Sequence, residues 1–239
     1  MDQQKDNIKI LAIIPARGGS KRLAGKNTRI LGNKPLITWS IDIANSIDSI
    51  CDVLVSTDAP DIALIGQKAG VLVPWMRPNI LATDTATSVD VVLHALNWYE
   101  SIYYEVDGVI LLQPTSPFRT VDTIKRGIDL FVAHSRKPVI GLSSAQSHPM
   151  WTLKIDNDIA TPFMSDEGFK MRSQDLPPAY VVNGSFYMSS PENLRVRNSF
   201  FGDDVVPLLI ESPIEGLDID TEFDFMIAQA CVNTVSHSA

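Results

Sequence analysis

The run Ile8–Ile14, IKILAII, is apolar at every position but Lys9. A strand without alternation has no face to give to water, so it must be covered on both sides. That condition points to a sheet held between layers of helix. The chain that follows keeps to it. Pro35–Ile47 places Leu36, Ile37, Ile41, Ala44 and Ile47 on one helical face. Asp52–Ser56 reads as a strand, Pro60–Ala69 as a helix stopped by Gly70, and Val71–Pro74 as a short strand. Thr85–Tyr99 reads as a long helix, Val109–Leu112 as a buried strand, Thr120–His134 as a helix and Pro138–Leu142 as a strand. Strand and helix in alternation imply an α/β fold with a mostly parallel sheet and right-handed crossovers.

The alternation stops near Ser143. From there to Pro178 the chain is polar, aromatic and proline-rich, with a short strand expected near Trp151–Ile155. This reads as an excursion from the sheet, either a lid or a dimerisation arm. Regular structure resumes at Val181–Met188 and Val205–Ile210 and ends in a helix over Thr221–Val232. With 239 residues the chain makes one sizeable core and falls short of two. The expectation is a single domain over residues 8–234, with the arm inserted at about 143–180.

Charge narrows the function. The net charge of −8 makes duplex nucleic acid and anionic membranes poor partners. Yet no Asp or Glu occurs from Asn7 to Ile41, where Lys9, Arg17, Lys21, Arg22, Lys26, Arg29 and Lys34 sit. A basic island on an acidic chain implies one local anion site. The two cysteines, Cys51 and Cys231, have no metal-ligand spacing and read as buried free thiols. The amino-terminal MDQQKDN has no hydrophobic signal region, and no apolar run reaches membrane-spanning length, so a cytoplasmic protein is expected.

Three constellations carry chemistry. Pro15-Ala16-Arg17-Gly18-Gly19-Ser20-Lys21-Arg22 follows the first strand, where parallel sheets bind ligands. Gly18 and Gly19 are expected to adopt positive φ and to let the backbone approach a ligand, while Arg17, Lys21 and Arg22 supply charge for phosphate. The spacing matches neither GxxxxGK[ST] nor GxGxxG. Asp218 and Asp220 in LDID would share one face of a strand, an oxygen-ligand pair suited to Mg²⁺ beside phosphate. The alternative is that Asp220 caps the last helix, where Thr221 and Asp224 have capping-box spacing. Gln113-Pro-Thr-Ser-Pro-Phe-Arg119 follows a strand, and Gln113 can both donate and accept. Arg77 and Ser88 fall on another strand–helix connection, where a surface arginine is ordinarily without a role. Tyr187 in NGSFY reads more readily as core than as ligand-binding.

Taken in order, IPARGGSKRL..KN, VSTD, RP..LATDTA, QPTSPFR, NGSFY and LDIDTEFD resemble the CMP-sialic acid synthetases, the N-acylneuraminate cytidylyltransferases, from about Lys9 to Gln229. The resemblance implies a Rossmann-like nucleotidyltransferase with a central mixed sheet, acting as a homodimer through its arm. It implies transfer of CMP from CTP to a nine-carbon 2-keto sugar acid, such as N-acetylneuraminate or legionaminate, with release of pyrophosphate. By position, Ala16, Arg17, Gly18, Gly19 and Lys21 fall in the triphosphate loop. Lys26 and Asn27 would contact the nucleotide, and Arg77 and Ser88 the cytosine and ribose. Gln113, Tyr187, Phe200 and Phe201 would meet the sugar, and Asp218 and Asp220 would hold Mg²⁺, with Mn²⁺ as a substitute.

Catalysis would then rest on Arg17, Lys21, Asp218 and Asp220. A metal-bound hydroxide or Asp220 would take the hydroxyl proton in preference to His148. Arg22 is expected to face solvent. The family's lysine shortly after the HP pair has no counterpart beside His148-Pro149, and Lys154 is the nearest candidate. The alternatives are a cytidylyltransferase for a shorter, 3-deoxy-manno-octulosonate type of acid, or a silent nucleotide-binding homologue.

Overall fold

The computed structural model describes residues 8–235, without the side chains of 233–235. The amino-terminal MDQQKDN lies outside the described residues.

In chain order the strands are β1 (Ile10–Pro15), β2 (Ile30–Leu31), β3 (Lys34–Pro35), β4 (Ile50–Ser56), β5 (Gly108–Leu111), β6 (Val139–Ser144), β7 (Leu153–Asp156), β8 (Ile159–Pro162), β9 (Tyr180–Ser189) and β10 (Val206–Leu209). The helices are α1 (Leu36–Asn45), α2 (Pro60–Lys68), α3 (Ser88–Ile102), α4 (Val121–Ala133), α5 (Pro191–Arg197) and α6 (Glu222–Val235). Six strands form the central sheet in the order β10-β6-β9-β5-β1-β4. β1 runs parallel to both β4 and β5, and β10 runs parallel to β6. β9 alone is antiparallel, to β5 on one side and β6 on the other.

The unbroken apolar run of β1 has the cause its sequence implied. Ile10, Ala12 and Ile14 enter one core cluster with α1 and α4 residues, while Leu11 and Ile13 enter another with α3. All five are fully buried. From β1 the chain passes through α1 to β4 on one side of β1, then later reaches β5 on the other. The strand order therefore reverses at β1, and a crevice opens beyond the carboxyl ends of β1 and β5.

Several expectations are corrected. Val71–Pro74 is not a strand: only isolated bridges form, Leu72 to Leu54 and Met76 to Thr57, and Pro74 has no N–H to extend them. The helix expected from Thr85 starts at Ser88, because Thr87 caps it in a reciprocal box with Asp90. The hairpin β2–β3 and the helix α5 carry too few periodic residues to stand out in sequence. In the excursion after Ser144, Trp151 closes a 3₁₀ turn instead of opening a strand, and β7 begins at Leu153. β7 and β8 form a hairpin whose turn residues Asn157 and Asp158 both hold positive φ, as a two-residue turn requires.

Candidate active site

The crevice at the end of β1 is a cleft of about 540 Å³. Its walls come from the loop after β1, the segment before α3, the loop after β5 and the segment before α6. Arg17, Lys21, Lys26, Asn27, Arg77, Ser88, Gln113, Asp218 and Asp220 all line it, as does Arg22. Residues about two hundred positions apart thus meet in one cleft, although Ala16, Gly18 and Gly19 do not line it.

Ala16 is buried, and its N–H continues the ladder to the Ser56 carbonyl at 2.9 Å. Gly18 donates its N–H to Asp58 Oδ1 at 2.9 Å. Neither Gly18 nor Gly19 has positive φ, contrary to expectation; that conformation falls at Gly25, Gly32, Gly70 and Gly184. Gly18 is needed for closeness instead, since a Cβ there would lie 2.8 Å from that of Ala59. Gly19 meets no such neighbour and does not line the cleft.

The cations of the first loop reach across to acids distant in sequence. Arg17 Nη1 donates to Asp84 Oδ1 at 2.8 Å, and Lys21 Nζ to Asp84 Oδ2 at 2.5 Å. Those two cations hold the Asp84 carboxyl below its ordinary range. Lys26 Nζ donates to the Ile219 carbonyl at 2.9 Å and to Asp220 Oδ1 at 3.0 Å. Arg22 does not simply face solvent: its Nη2 donates to Asp220 Oδ2 at 2.7 Å. Asn27 is buried and donates Nδ2 to the Arg17 carbonyl at 3.0 Å, which fixes the backbone of the loop. Arg77 is buried too, so it is no ordinary surface arginine. Its Nε donates to Ser56 Oγ at 3.0 Å and its Nη2 to the Ser56 carbonyl. Burial lowers its pKa to about 10, which leaves it cationic at neutral pH.

Leu217–Asp220 forms no strand; its Ile219 N–H reaches the Thr115 carbonyl at 2.8 Å. Ile219 is fully buried in a small core cluster with Leu23, Phe118 and Phe225. That anchor leaves the alternate residues Asp218 and Asp220 in the cleft wall, so the alternation argument holds without a ladder. Asp220 is not the cap of α6. Thr221 and Asp224 cap it reciprocally, with Asp224 N–H to Thr221 Oγ1 at 3.2 Å and Thr221 N–H to Asp224 Oδ2 at 2.8 Å. Asp218 faces the cleft and is exposed, whereas Asp220 is partly covered. Desolvation by the cleft walls raises the Asp218 pKa most, a Thr115 hydroxyl hydrogen bond opposes this, and the charge of Asp220 adds to the rise. Among the described residues no three His, Cys, Asp or Glu side chains cluster as a complete metal cage. Two carboxylates beside a cationic loop suit a hard cation that takes its remaining oxygen ligands from outside the chain.

Gln113 lines the cleft at its far end. A side chain at Gly184 would meet Gln113 Oε1 at 3.2 Å and Ser116 Oγ at 3.3 Å, so glycine keeps this corner open. Tyr187 is half-buried against Phe200 and Phe201, with ring centroids 5.7 and 6.3 Å away. None of the three lines the cleft proper. Phe200 is a core residue at 3% exposure and backs Tyr187, whereas Phe201 is exposed. His148 lies in the arm against the Pro177 carbonyl, and Lys154 lies on β7; neither lines the cleft.

Two residues had no assigned role in sequence. Arg119 is buried and donates to the carbonyls of Ser185, Ser116 and Gln113 and to Ser40 Oγ. It ties the Gln113 loop to β9, and burial pushes its pKa down to about 9. Asp84 was legible only as part of a motif.

Residues 11–198 match the family model described as cytidylyltransferase. The chain is 37% identical over 228 residues to the CMP-N,N'-diacetyllegionaminic acid synthase of Legionella pneumophila, which covers 93% of this chain and 95% of that protein. It is 31% identical over 220 residues to an N-acylneuraminate cytidylyltransferase of Escherichia coli, covering 92% of this chain and 51% of that protein. The fold is like that of a solved CMP-2-keto-3-deoxy-manno-octonic acid synthetase complexed with CTP, with a TM-score of 0.68 over 95% of this chain and 99% of that one at 18% identity. With its motifs converging on one cleft and most of its length matched, the chain belongs to the cytidylyltransferase family.

Proposed function

We propose that this chain activates a nine-carbon 2-keto sugar acid with CTP, giving the CMP-sugar and pyrophosphate. The observation that carries the reading is the convergence of Arg17, Lys21, Gln113, Asp218 and Asp220 on one cleft at the sheet's reversal point. A legionaminate-type acid is the first candidate, because the relative bearing that name matches along nearly the whole of both chains.

In this reading the acid's anomeric hydroxyl attacks the α-phosphorus of CTP in line, and the bond to the β-phosphate oxygen breaks. Such a transfer is limited by charge repulsion and alignment, so fixed cations and positioning supply most of the catalysis. Arg17 and Lys21 neutralise the β- and γ-phosphates, which leave. Asn27 fixes the loop that carries Arg17. Arg77 and Ser88 face the cytosine and ribose, Gln113 the sugar acid, and Tyr187 and Phe201 the sugar's outer part. Asp218 and Asp220 would hold Mg²⁺, or Mn²⁺ in its place. When bound, that ion polarises the phosphate and lowers the pKa of a hydroxyl it touches.

Dimerisation belongs to the same proposal. The arm exposes Leu153, Ile155, Ile159, Phe163 and Met164, apolar surface of the kind that a second copy would cover. No helix among the described residues is long and apolar enough to cross a membrane, and the CTP pool would place the reaction in the cytoplasm. The test is pyrophosphate release from CTP and Mg²⁺ across a panel of nonulosonic acids and 3-deoxy-manno-octulosonate. Release with a legionaminate-type acid is expected. Silence across the whole panel would overturn the assignment.

A further inference from the structure

Asp84 stands apart from the other cleft residues. It is an acid placed between the two cations assigned to the leaving phosphates, bonded to both through separate oxygens. Two anions cannot share those partners at full strength, so a diphosphate entering here meets a carboxylate already in its place.

The surrounding segment is arranged to let that carboxylate leave. From Pro78 to Ala86 the other hydrogen bonds of the described structure stay inside the segment. Leu81 N–H reaches the Pro78 carbonyl, Ala82 N–H the Asn79 carbonyl, and Ala86 N–H Thr83 Oγ1. Thr83 Oγ1 also contacts the Ile80 carbonyl and Thr85. Its ends are fixed, by Arg77 N–H on the Thr57 carbonyl and by the Thr87–Asp90 box. The pair of Asp84 bonds is therefore the polar tether between this segment and the opposite wall. A hollow of about 450 Å³ lies between the segment and α3, lined by Ile80, Leu81, Thr83, Ala86, Leu93 and His94.

We propose that Asp84 is a resident counter-anion, which the triphosphate displaces on entry and which returns to displace the product pyrophosphate. It is a positioning residue. With the cleft empty of phosphate it keeps Arg17 and Lys21 together and aimed inward. After transfer it competes for the same two cations, so pyrophosphate leaves by exchange and does not have to abandon two unpaired charges. No covalent step is added to the reaction. The inference rests on the nucleotidyl-transfer reading above.

The test compares wild type with Asp84→Asn, which keeps size and loses charge, and with Asp84→Ala. Inorganic pyrophosphate with Mg²⁺ is titrated calorimetrically, and CTP turnover is measured by steady-state kinetics. Both variants are expected to bind pyrophosphate roughly tenfold tighter, the sum of two solvent-exposed ion pairs removed. KM for CTP and kcat should fall together as product release slows, whereas damage to the loop would raise KM. In the double variant Asp84→Asn with Lys21→Ala the gain should shrink, because one shared partner is gone. Pyrophosphate affinity that is unchanged or weaker in both single variants overturns the inference while leaving the enzyme assignment intact. A wild-type chain that binds neither CTP nor pyrophosphate overturns the assignment, and the inference with it.

Discussion

At the carboxyl end of the sheet four cations of the first loop are matched within the chain. Arg17 and Lys21 share Asp84, and Arg22 and Lys26 share Asp220. In the arm the apolar side chains have no such answer: Leu153, Ile155, Ile159, Phe163 and Met164 are each more than half exposed. The two regions are incomplete in different ways. The cations of the cleft are paired internally, and on the proposed reading they exchange those partners for a ligand. The arm is hydrophobically open, and the proposed second copy would cover it. Ligand chemistry should therefore be sensitive to single substitutions in the cleft, and association to substitutions in the arm, with little crossover in folding stability.

The largest effect is expected at Asp218. Asp218→Asn should lower turnover on the order of a thousandfold, the scale of losing a divalent cation's charge stabilisation. Full turnover in that variant would remove Asp218 from the site. The same substitution should make the folded chain more stable at neutral pH. Desolvation in the cleft raises the Asp218 pKa, and Asp220 adds to the rise. The folded state therefore holds this proton to higher pH than the unfolded chain does. The favourable contribution is complete below the ordinary carboxylate range of about pH 4 and is lost as pH rises through the raised value. At pH 7 the ionised group is a cost that asparagine removes. Melting curves should show Asp218→Asn above wild type at pH 7, with the gap closing toward pH 4. Added Mg²⁺ should raise the melting temperature of wild type more than that of the variant.

Next in size is the contrast between Lys21 and Arg22, neighbours with different partners. Lys21→Ala should raise KM for CTP by roughly tenfold to a hundredfold, the scale of a lost charge-assisted contact to phosphate. Arg22→Ala removes a contact to Asp220 that Lys26 still makes, so its effect should be severalfold at most. Steady-state KM values measured side by side settle the order. Equal losses would mean that Arg22 also meets the phosphates.

Where sequence succeeded and failed follows from the range of each signal. β1 was legible because full burial on two faces suppresses alternation over consecutive residues. The Asp218–Asp220 pair was legible because alternation survives without a ladder, although the strand expected there does not form; burial of Ile219 and its N–H bond to Thr115 set the facing. The antiparallel sense of β9 was not legible. It depends on where the chain re-enters the sheet after thirty-odd residues of arm, which no local pattern records. The burial of Arg77, whose alternative was an ordinary surface arginine, and the role of Arg119 were not legible, because their partners are carbonyls and hydroxyls, which leave no acidic signature in sequence. Gly18 was assigned the right requirement for glycine but the wrong cause, since its close neighbour is Ala59, the residue that opens α2 and is distant in sequence. The basic island looked unpaired because every acid that pairs with Arg17, Lys21, Arg22 or Lys26 is more than sixty residues away in sequence.

The smallest expected effect on folding, and the sharpest separation of the two regions, comes from the arm. Ile155 sits on β7 at 76% exposure and Phe163 just after β8 at 67%. Each has little to lose within its own chain, so Ile155→Asp combined with Phe163→Asp should change monomer stability by no more than about 0.5 kcal/mol per site. Light scattering on a sizing column should nevertheless move the chain from dimer to monomer, because two carboxylates would have to be buried without partners in the interface. If the arm of one copy completes the sugar site of the other, turnover should fall in the variant while CTP binding at the intact cleft persists. Wild-type activity per chain should then drop on dilution below the dimer's dissociation constant. A wild-type chain that is monomeric at micromolar concentration, with activity independent of dilution, would break the comparison at its weaker half. The cleft would then be a self-sufficient site, and the apolar arm would need an occupant other than a second copy.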